Sequence, residues 1–326
     1  MLHEISFKSF NERDEVQGWV YVPACEPKGI IQLIHGFGEH SRRYFHMIVA
    51  FMDAGFIVAA DDHVGHGKTA IVNNTWGDWG HKGAHTMMED EHILTGIVKE
   101  MYPNLPYFMF GHSMGSFIAR DYIAKYGDEL AGVTLCGTCG SFASLPDTMA
   151  AIKKAVDEGK GDEADPNFTS MLFGFMFSRI EEPVKLGNEW ICHSTWVQND
   201  HAADPFDAFT KPTNNRSMLF FCEMMDCIQG TEWAGKVPKV CGSQSGFDVD
   251  KVKEAGLTVA EPVSTGTPGI KEYPLTIECK VLYSQDQDAD KIPGDIIKRY
   301  YPETAPGQCD FHSMYVGQVV DTYIIR

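Results

Sequence analysis

The sequence has no apolar run that approaches the roughly 18–20 residues of a membrane-spanning helix, so no helical membrane anchor is expected. Its first 13 residues, MLHEISFKSFNER, alternate apolar and polar side chains and lack the apolar stretch of a secretory leader. Basic residues are scarce: 27 Lys and Arg face 45 Asp and Glu, a net charge of -18. That balance speaks against a nucleic-acid partner, because phosphate binding needs basic surface. It also speaks against docking on anionic lipid by charge, so a lipid-like substrate would have to arrive by apolar attraction. Paired cysteines are missing too. The nine are scattered and odd in number, which reads as reduced thiols in a cytoplasmic protein. The lone Cys-x-x-Cys, Cys136 and Cys139, has no second ligand pair to make a zinc site.

Apolar residues make up 44% of the 326, enough for a large core, and the 22% of charged residues does not describe a disordered chain. Residues 4–9 and 15–22 read as an opening β-hairpin. Continuous apolar runs at 29–35 and 56–62 read as buried strands, and PYFMFG at 106–111 and AGVTLCG at 131–137 as further strands. Helices are expected at 42–54, 87–101 and 117–127. Strand and helix in regular alternation predict an α/β fold, a mostly parallel sheet flanked by helices, with the ligand site at the carboxyl ends of the strands. The alternation breaks over 140–230, which reads as an inserted helical cap; its segment MLFGFMF, 171–177, suits both packing and a wall for an acyl chain. The expected organisation is core over 1–139, cap over 140–230, and the rest of the core over 231–326.

Gly111-His112-Ser113-Met114-Gly115 fits Gly-x-Ser-x-Gly between a strand and a helix. There a serine sits on a strained turn that lifts its hydroxyl into the cleft, and glycines two residues either side remove side chains that would collide. The free amides of the new helix then face a developing oxyanion. His35-Gly36-Phe37-Gly38-Glu39-His40 follows an earlier strand, and the amides of Phe37 and Met114 are the expected oxyanion hole. His35 and His40 read as hydrogen-bonding residues that shape the loop. Asp61-Asp62-His63-Val64-Gly65-His66-Gly67 places histidines beside carboxylates, but the spacing matches no usual zinc pattern. A supporting loop is expected there, with no metal and no cofactor.

Taken in order, HGFGEHSRRY, DDHVGHG and GHSMGS resemble the monoacylglycerol lipase and lysophospholipase branch of the α/β-hydrolase fold, among the S33-like serine aminopeptidases. The segment TWVQNDHAADPF, 195–206, is similar to the tryptophan and Asp-Pro stretch of its bacterial members. The resemblance spans roughly residues 1–235. It implies a serine esterase that cleaves medium or long acyl esters of glycerol or related alcohols through an acyl-enzyme, a small-molecule substrate, with transient lipid-surface contact through the cap. Two positions depart from the pattern: Ser116 replaces a glycine after the serine turn, and His63 replaces an arginine in the aspartate-glycine loop. Nothing in the sequence speaks to oligomeric state.

The serine needs a base and the base needs a carboxylate, in the order Ser, Asp or Glu, His. After His201 the chain has one histidine, His312, followed by a stretch, MYVGQVVDTYII, whose apolar spacing predicts a closing helix. IECKVLY, 277–283, reads as the strand before the acid, which is then Asp286 or Asp288, with Asp286 preferred. A competing register takes 236–256 as the acid-bearing strand and its helix. The histidine position then falls near Glu272 or Tyr273, and Asp248 or Asp250 are poor substitutes for the acid. In that register the triad is incomplete and the chain is a hydrolase-fold binding protein without turnover.

Overall fold

A computed structural model describes residues 1–140, 144–174, 176, 180, 184–207 and 211–237, and six short or isolated strands beyond them. Met1–Pro238 and Lys239–Arg326 form two separate units.

In the first unit, side-chain alternation produces the hairpin β1 (Leu2–Lys8) and β2 (Glu15–Tyr21), antiparallel with Leu2 opposite Tyr21 and Lys8 opposite Glu15. The apolar runs form β3 (Gly29–Ile34) and β4 (Phe56–Asp62), then β5 (Tyr107–His112) and β6 (Gly132–Cys136). The spatial order is β1-β2-β4-β3-β5-β6. β2 meets β4 antiparallel, whereas β4, β3, β5 and β6 run parallel. The connecting helices are α1 (Phe45–Asp53), α2 (Gly67–Asn73), α3 (Thr86–Met101) and α4 (Met114–Tyr126). This is the expected α/β-hydrolase sheet; α2 alone had no counterpart among the expected elements.

Strand residues alternate between two faces, and each face builds its own core. Ile30, Ile34, Ile57 and Ala59 pack on one side, Leu33, Val58 and Ala60 on the other. Gln32 breaks the apolar rule in the sheet centre. It is fully buried and satisfied: its amide donates to Glu91, and its oxygen accepts from Thr95 and Tyr107.

Between residues 140 and 230 the described elements are helical: α5 (Leu145–Ala155), α6 (Pro166–Phe173), α7 (Thr195–Ala203) and α8 (Asn215–Cys227), with α9 (Gly230–Lys236) following. Side-chain caps start three of them. Asp165 accepts from the Asn167 amide, Ser194 from Val197, and Asn214 from Ser217. Among the described residues, no helix is long and apolar enough to cross a membrane.

Among its described residues the second unit holds three antiparallel pairs: β7 (Val259–Ala260) with β8 (Gly269–Ile270), β9 (Leu275–Asp286) with β12 (Ser313–Ile324), and β10 (Glu303–Ala305) with β11 (Gln308–Cys309). The expected strand at 277–283 lies within β9. The expected helix after His312 is instead the strand β12. Its content explains the correction: Tyr315, Val316, Val319, Val320, Thr322, Tyr323 and Ile324 are aromatic or β-branched, which fits a pleated surface better than a helix. His312, Asp288, Asp248, Asp250, Glu272 and Tyr273 lie outside the described residues.

Ile57 is completely buried in the central sheet. Ile57→Ala should lower stability by about 2–5 kcal/mol, read from urea midpoints. Ile71→Ala, at an exposed position, should stay within about 0.5 kcal/mol.

Candidate active site

The turn from β5 into α4 forces the backbone of Ser113 into φ 51°, ψ -120°. A non-glycine residue pays strain there, and the flanking residues explain how the turn is tolerated. A Cβ on Gly111 would lie 2.4 Å from the Gly115 carbonyl oxygen, and one on Gly115 would lie 2.1 Å from the Ile34 carbonyl oxygen. Both distances are impossible for a real side chain, so the glycines are a steric requirement. The turn is then pinned from both sides. The Ser113 amide donates to the Cys136 carbonyl at 2.9 Å. The Ser113 carbonyl accepts from the Ser116 amide at 2.9 Å and from the Ser116 hydroxyl at 2.6 Å. Ser116, the departure from the family pattern, thus adds a hydrogen bond to the turn.

Facing the serine is the loop after β3. A Cβ on Gly36 would come within 3.2 Å of the Ser113 Cβ, so this glycine lets the loop backbone approach the turn. Phe37 and Ser113 line one cavity of about 490 Å³, together with Thr169, Phe173, Met176, Trp190 and Pro212. The volume is that of a small-molecule site. Phe173 and Met176 come from the segment 171–177, while Leu172 of the same segment is fully buried in the core. That segment therefore does both jobs, wall and packing. Met114 opens α4, where helical amides have no partner within the helix.

The loop after β3 is held by carboxylates. Glu39 accepts from the Gly36 amide at 2.6 Å and from the Tyr44 hydroxyl at 2.5 Å, with His112 Nδ1 3.5 Å away. Burial pushes the Glu39 carboxyl up, but His112, Tyr44 and the Gly36 amide outweigh it and hold it below the usual range. His112 Nδ1 lies 2.6 Å from the Tyr44 hydroxyl. Asp62 accepts from the Ser41 amide and hydroxyl at 3.0 and 2.7 Å, from Arg42 at 2.8 Å and from the Lys68 amide at 2.7 Å. It clamps the aspartate-glycine loop to the loop after β3. A third clamp reaches α7: His40 Nε2 and Arg43 lie 3.0 and 3.2 Å from Asp204.

His35 and His40 are structural, as expected. His35 Nδ1 donates to the Gly36 carbonyl at 2.8 Å, and its Nε2 accepts from the His63 amide at 3.1 Å. Burial, then His63 and His66, hold the His35 ring well below its ordinary range, and burial with His63 brings His66 to about 4. Both rings are neutral at pH 7. Among the described residues, Ser113 Oγ has no hydrogen bond to an imidazole. Asp286 is the last residue of β9, with its Cα opposite that of Ser313 in β12. The roles of Glu39, Tyr44 and Ser116 were missed at the sequence level. The first two stand inside HGFGEHSRRY, where their spacing alone did not reveal a shared partner.

Three comparisons bear on this site. The model of the serine aminopeptidase S33 family matches residues 25–240. A carboxyl esterase of Bacillus coagulans, highly thermostable and solved in complex with glycerol, is 55% identical over 73% of this chain and 76% of its own, with a TM-score of 0.70. A lipase solved in an open form is 33% identical over 78% of this chain and 86% of its own, with a TM-score of 0.69. The monoacylglycerol lipase of Mycolicibacterium smegmatis is 37% identical over 123 residues, 36% of this chain and 40% of that protein. The chain thus spans about two fifths of the length of that curated relative. The elbow serine, the glycine loop that faces it and the family match over two thirds of the sequence agree: the chain belongs to the serine aminopeptidase S33 family, in the monoacylglycerol lipase and lysophospholipase branch of the α/β-hydrolases.

Proposed function

We propose that the chain is a carboxylic ester hydrolase that cleaves esters of the monoacylglycerol or lysophospholipid type through an acyl-enzyme on Ser113. One observation carries the reading: Ser113, on its strained turn, lines a largely apolar cavity beside Phe37 and at the start of a helix. The hydroxyl attacks the ester carbonyl, and the amides of Phe37 and Met114 receive the oxyanion. His312 takes the serine proton and passes it to the leaving alcohol, while Asp286 fixes the imidazole tautomer. Water then releases the acid. The register that sets Asp286 opposite Ser313, the neighbour of His312 in sequence, supports this pair. The related esterase solved with glycerol and the monoacylglycerol lipase support a glycerol ester as substrate. Residues 140–230 act as the cap. Its exposed Met171, Val184, Leu186 and Trp196 offer transient lipid contact without basic charge.

A second reading keeps the cavity without turnover. It is favoured by β12, a strand where a closing helix was expected to follow the catalytic histidine. In that reading His312→Ala changes nothing and a fluorophosphonate leaves the serine unlabelled.

For the hydrolase, a fluorophosphonate probe should label Ser113, and Ser113→Ala should reduce hydrolysis of a p-nitrophenyl ester by at least about 10³-fold. A wild-type protein inert toward short p-nitrophenyl esters overturns the reading. Gly36→Ala, whose new methyl must push against Glu39 and Ser113, should lower kcat by about 10- to 10³-fold with a smaller change in KM. That split is the sign of a displaced oxyanion donor.

A further inference from the structure

His63 stacks on His35 with ring centroids 3.8 Å apart. With Asp61 of β4 and Glu91 of α3 it forms a cluster that the ester chemistry does not use. All three side chains are buried, with relative exposures of 1%, 0% and 0%. The hydrogen bonding around them fixes their protons. His63 Nε2 lies 3.2 Å from the His35 carbonyl oxygen, which can only accept, so Nε2 carries the hydrogen. In the neutral ring Nδ1 then presents a lone pair. It points between two carboxylates, 3.3 Å from Asp61 Oδ1 and 3.4 Å from Glu91 Oε1. Gln32 donates to the other Glu91 oxygen.

His63 Nδ1, both Asp61 oxygens and Glu91 Oε1 have no hydrogen-bond partner. Among the described residues, no lysine or arginine pairs with Asp61 or Glu91; the cations nearby are spent elsewhere, as Arg42 is on Asp62. Acceptors aimed at one another inside a protein demand a shared proton or a metal ion between them.

The separations say what the cation is. The three donor atoms lie within 4.8 Å of one another. A tetrahedral ion with arms of about 2.0–2.1 Å spaces its ligand atoms by about 3.3–3.4 Å, the distances from Nδ1 to each carboxylate. The imidazole also has the arrangement of a metal ligand, its far N–H donating to a backbone carbonyl. We propose that Asp61, His63 and Glu91 bind a divalent transition-metal ion, zinc fitting best. Two carboxylates and a neutral imidazole balance its charge, and Asp61 Oδ2 remains as a further donor. No metal was expected at residues 61–67 because their spacing matches no usual zinc pattern; Glu91 arrives from α3, outside any short ligand spacing. Through the His63 to His35 contacts, the ion braces the loop that carries Gly36 and Phe37.

The test needs no enzyme assay. Full-length protein, prepared without chelator and dialysed, should hold about one zinc per chain by elemental analysis. Chelation should lower its Tm by several degrees, and zinc chloride should restore it. Asp61→Asn and Glu91→Gln, which keep the shapes of the side chains, should each cut the metal content to below about 0.1 per chain and remove the response to chelator. Wild-type protein without metal, unmoved by zinc chloride, overturns the proposal. Nitrogen-15 spectra with both His63 nitrogens protonated would then identify the cation as a proton. Metal retained by both variants overturns it equally, because the ion must then sit elsewhere.

Discussion

The backbone of Ser113 is held at φ 51°, ψ -120°, and the rest of the site is arranged around that strain. A residue in such a region costs on the order of 1–3 kcal/mol and persists only when its surroundings over-determine it. Here they do. β6 supplies a carbonyl to the Ser113 amide, Ser116 supplies two donors to its carbonyl, and β3 presses its last carbonyls against Gly115 where no side chain could fit. The order β3-β5-β6 in the sheet is therefore also the support of one side chain. The strain keeps Ser113 only half-buried while Met114, the next residue, is fully buried.

The acidic composition has a structural use close to this turn. Loops at strand ends carry backbone amides that no ladder satisfies, and carboxylates satisfy them. Glu39 takes the Gly36 amide, Asp62 takes the amides of Ser41 and Lys68, and Asp204 takes His40 and Arg43. Each acid thus joins two segments far apart in sequence or closes one loop on itself. A buried carboxylate with several donors is a stiff joint, because removing any donor leaves charge uncompensated. The excess negative charge that discourages anionic partners therefore also stiffens the walls of the cleft.

What was legible in the sequence was what is local. The hairpin, the four apolar strands and the serine elbow each follow from a pattern within about ten residues, and each stands where the pattern placed it. The glycine loop was legible for the same reason, since Gly36 must admit the Ser113 Cβ. Contacts that join distant segments left no such trace: Gln32 with Glu91, His40 with Asp204, Asp62 with Arg42. β12 was misread because Met314, Val316, Val319 and Val320 satisfy helical spacing while the β-branched and aromatic side chains around them favour a strand. The preference for Asp286 over Asp288 rested on the end of a strand, and β9 does end at Asp286. The proposed partnership of Asp286 with His312 rests on sequence order and on the pairing with Ser313.

The composition of the cavity divides the labour of an ester hydrolase. Phe37, Phe173, Met176 and Trp190 present an aromatic and thioether wall in a cavity that is mostly apolar in lining. An acyl chain lying there gains about 0.8 kcal/mol for each buried methylene, and it gains the same in the bound ester as in the transition state. Such uniform binding lowers KM and leaves kcat alone. What differs between the two states is charge on the carbonyl oxygen, and in the proposed mechanism the backbone amides at Phe37 and Met114 answer it. Those amides depend on the strained turn and on the loop braced by Glu39, His35 and His63. Selectivity among acyl chains and acceleration of the reaction thus rest on different parts of the molecule. In the proposed mechanism the cap sets the first, while the turn, where a Cβ on Gly111 or Gly115 would collide with backbone, and its glycine loop set the second.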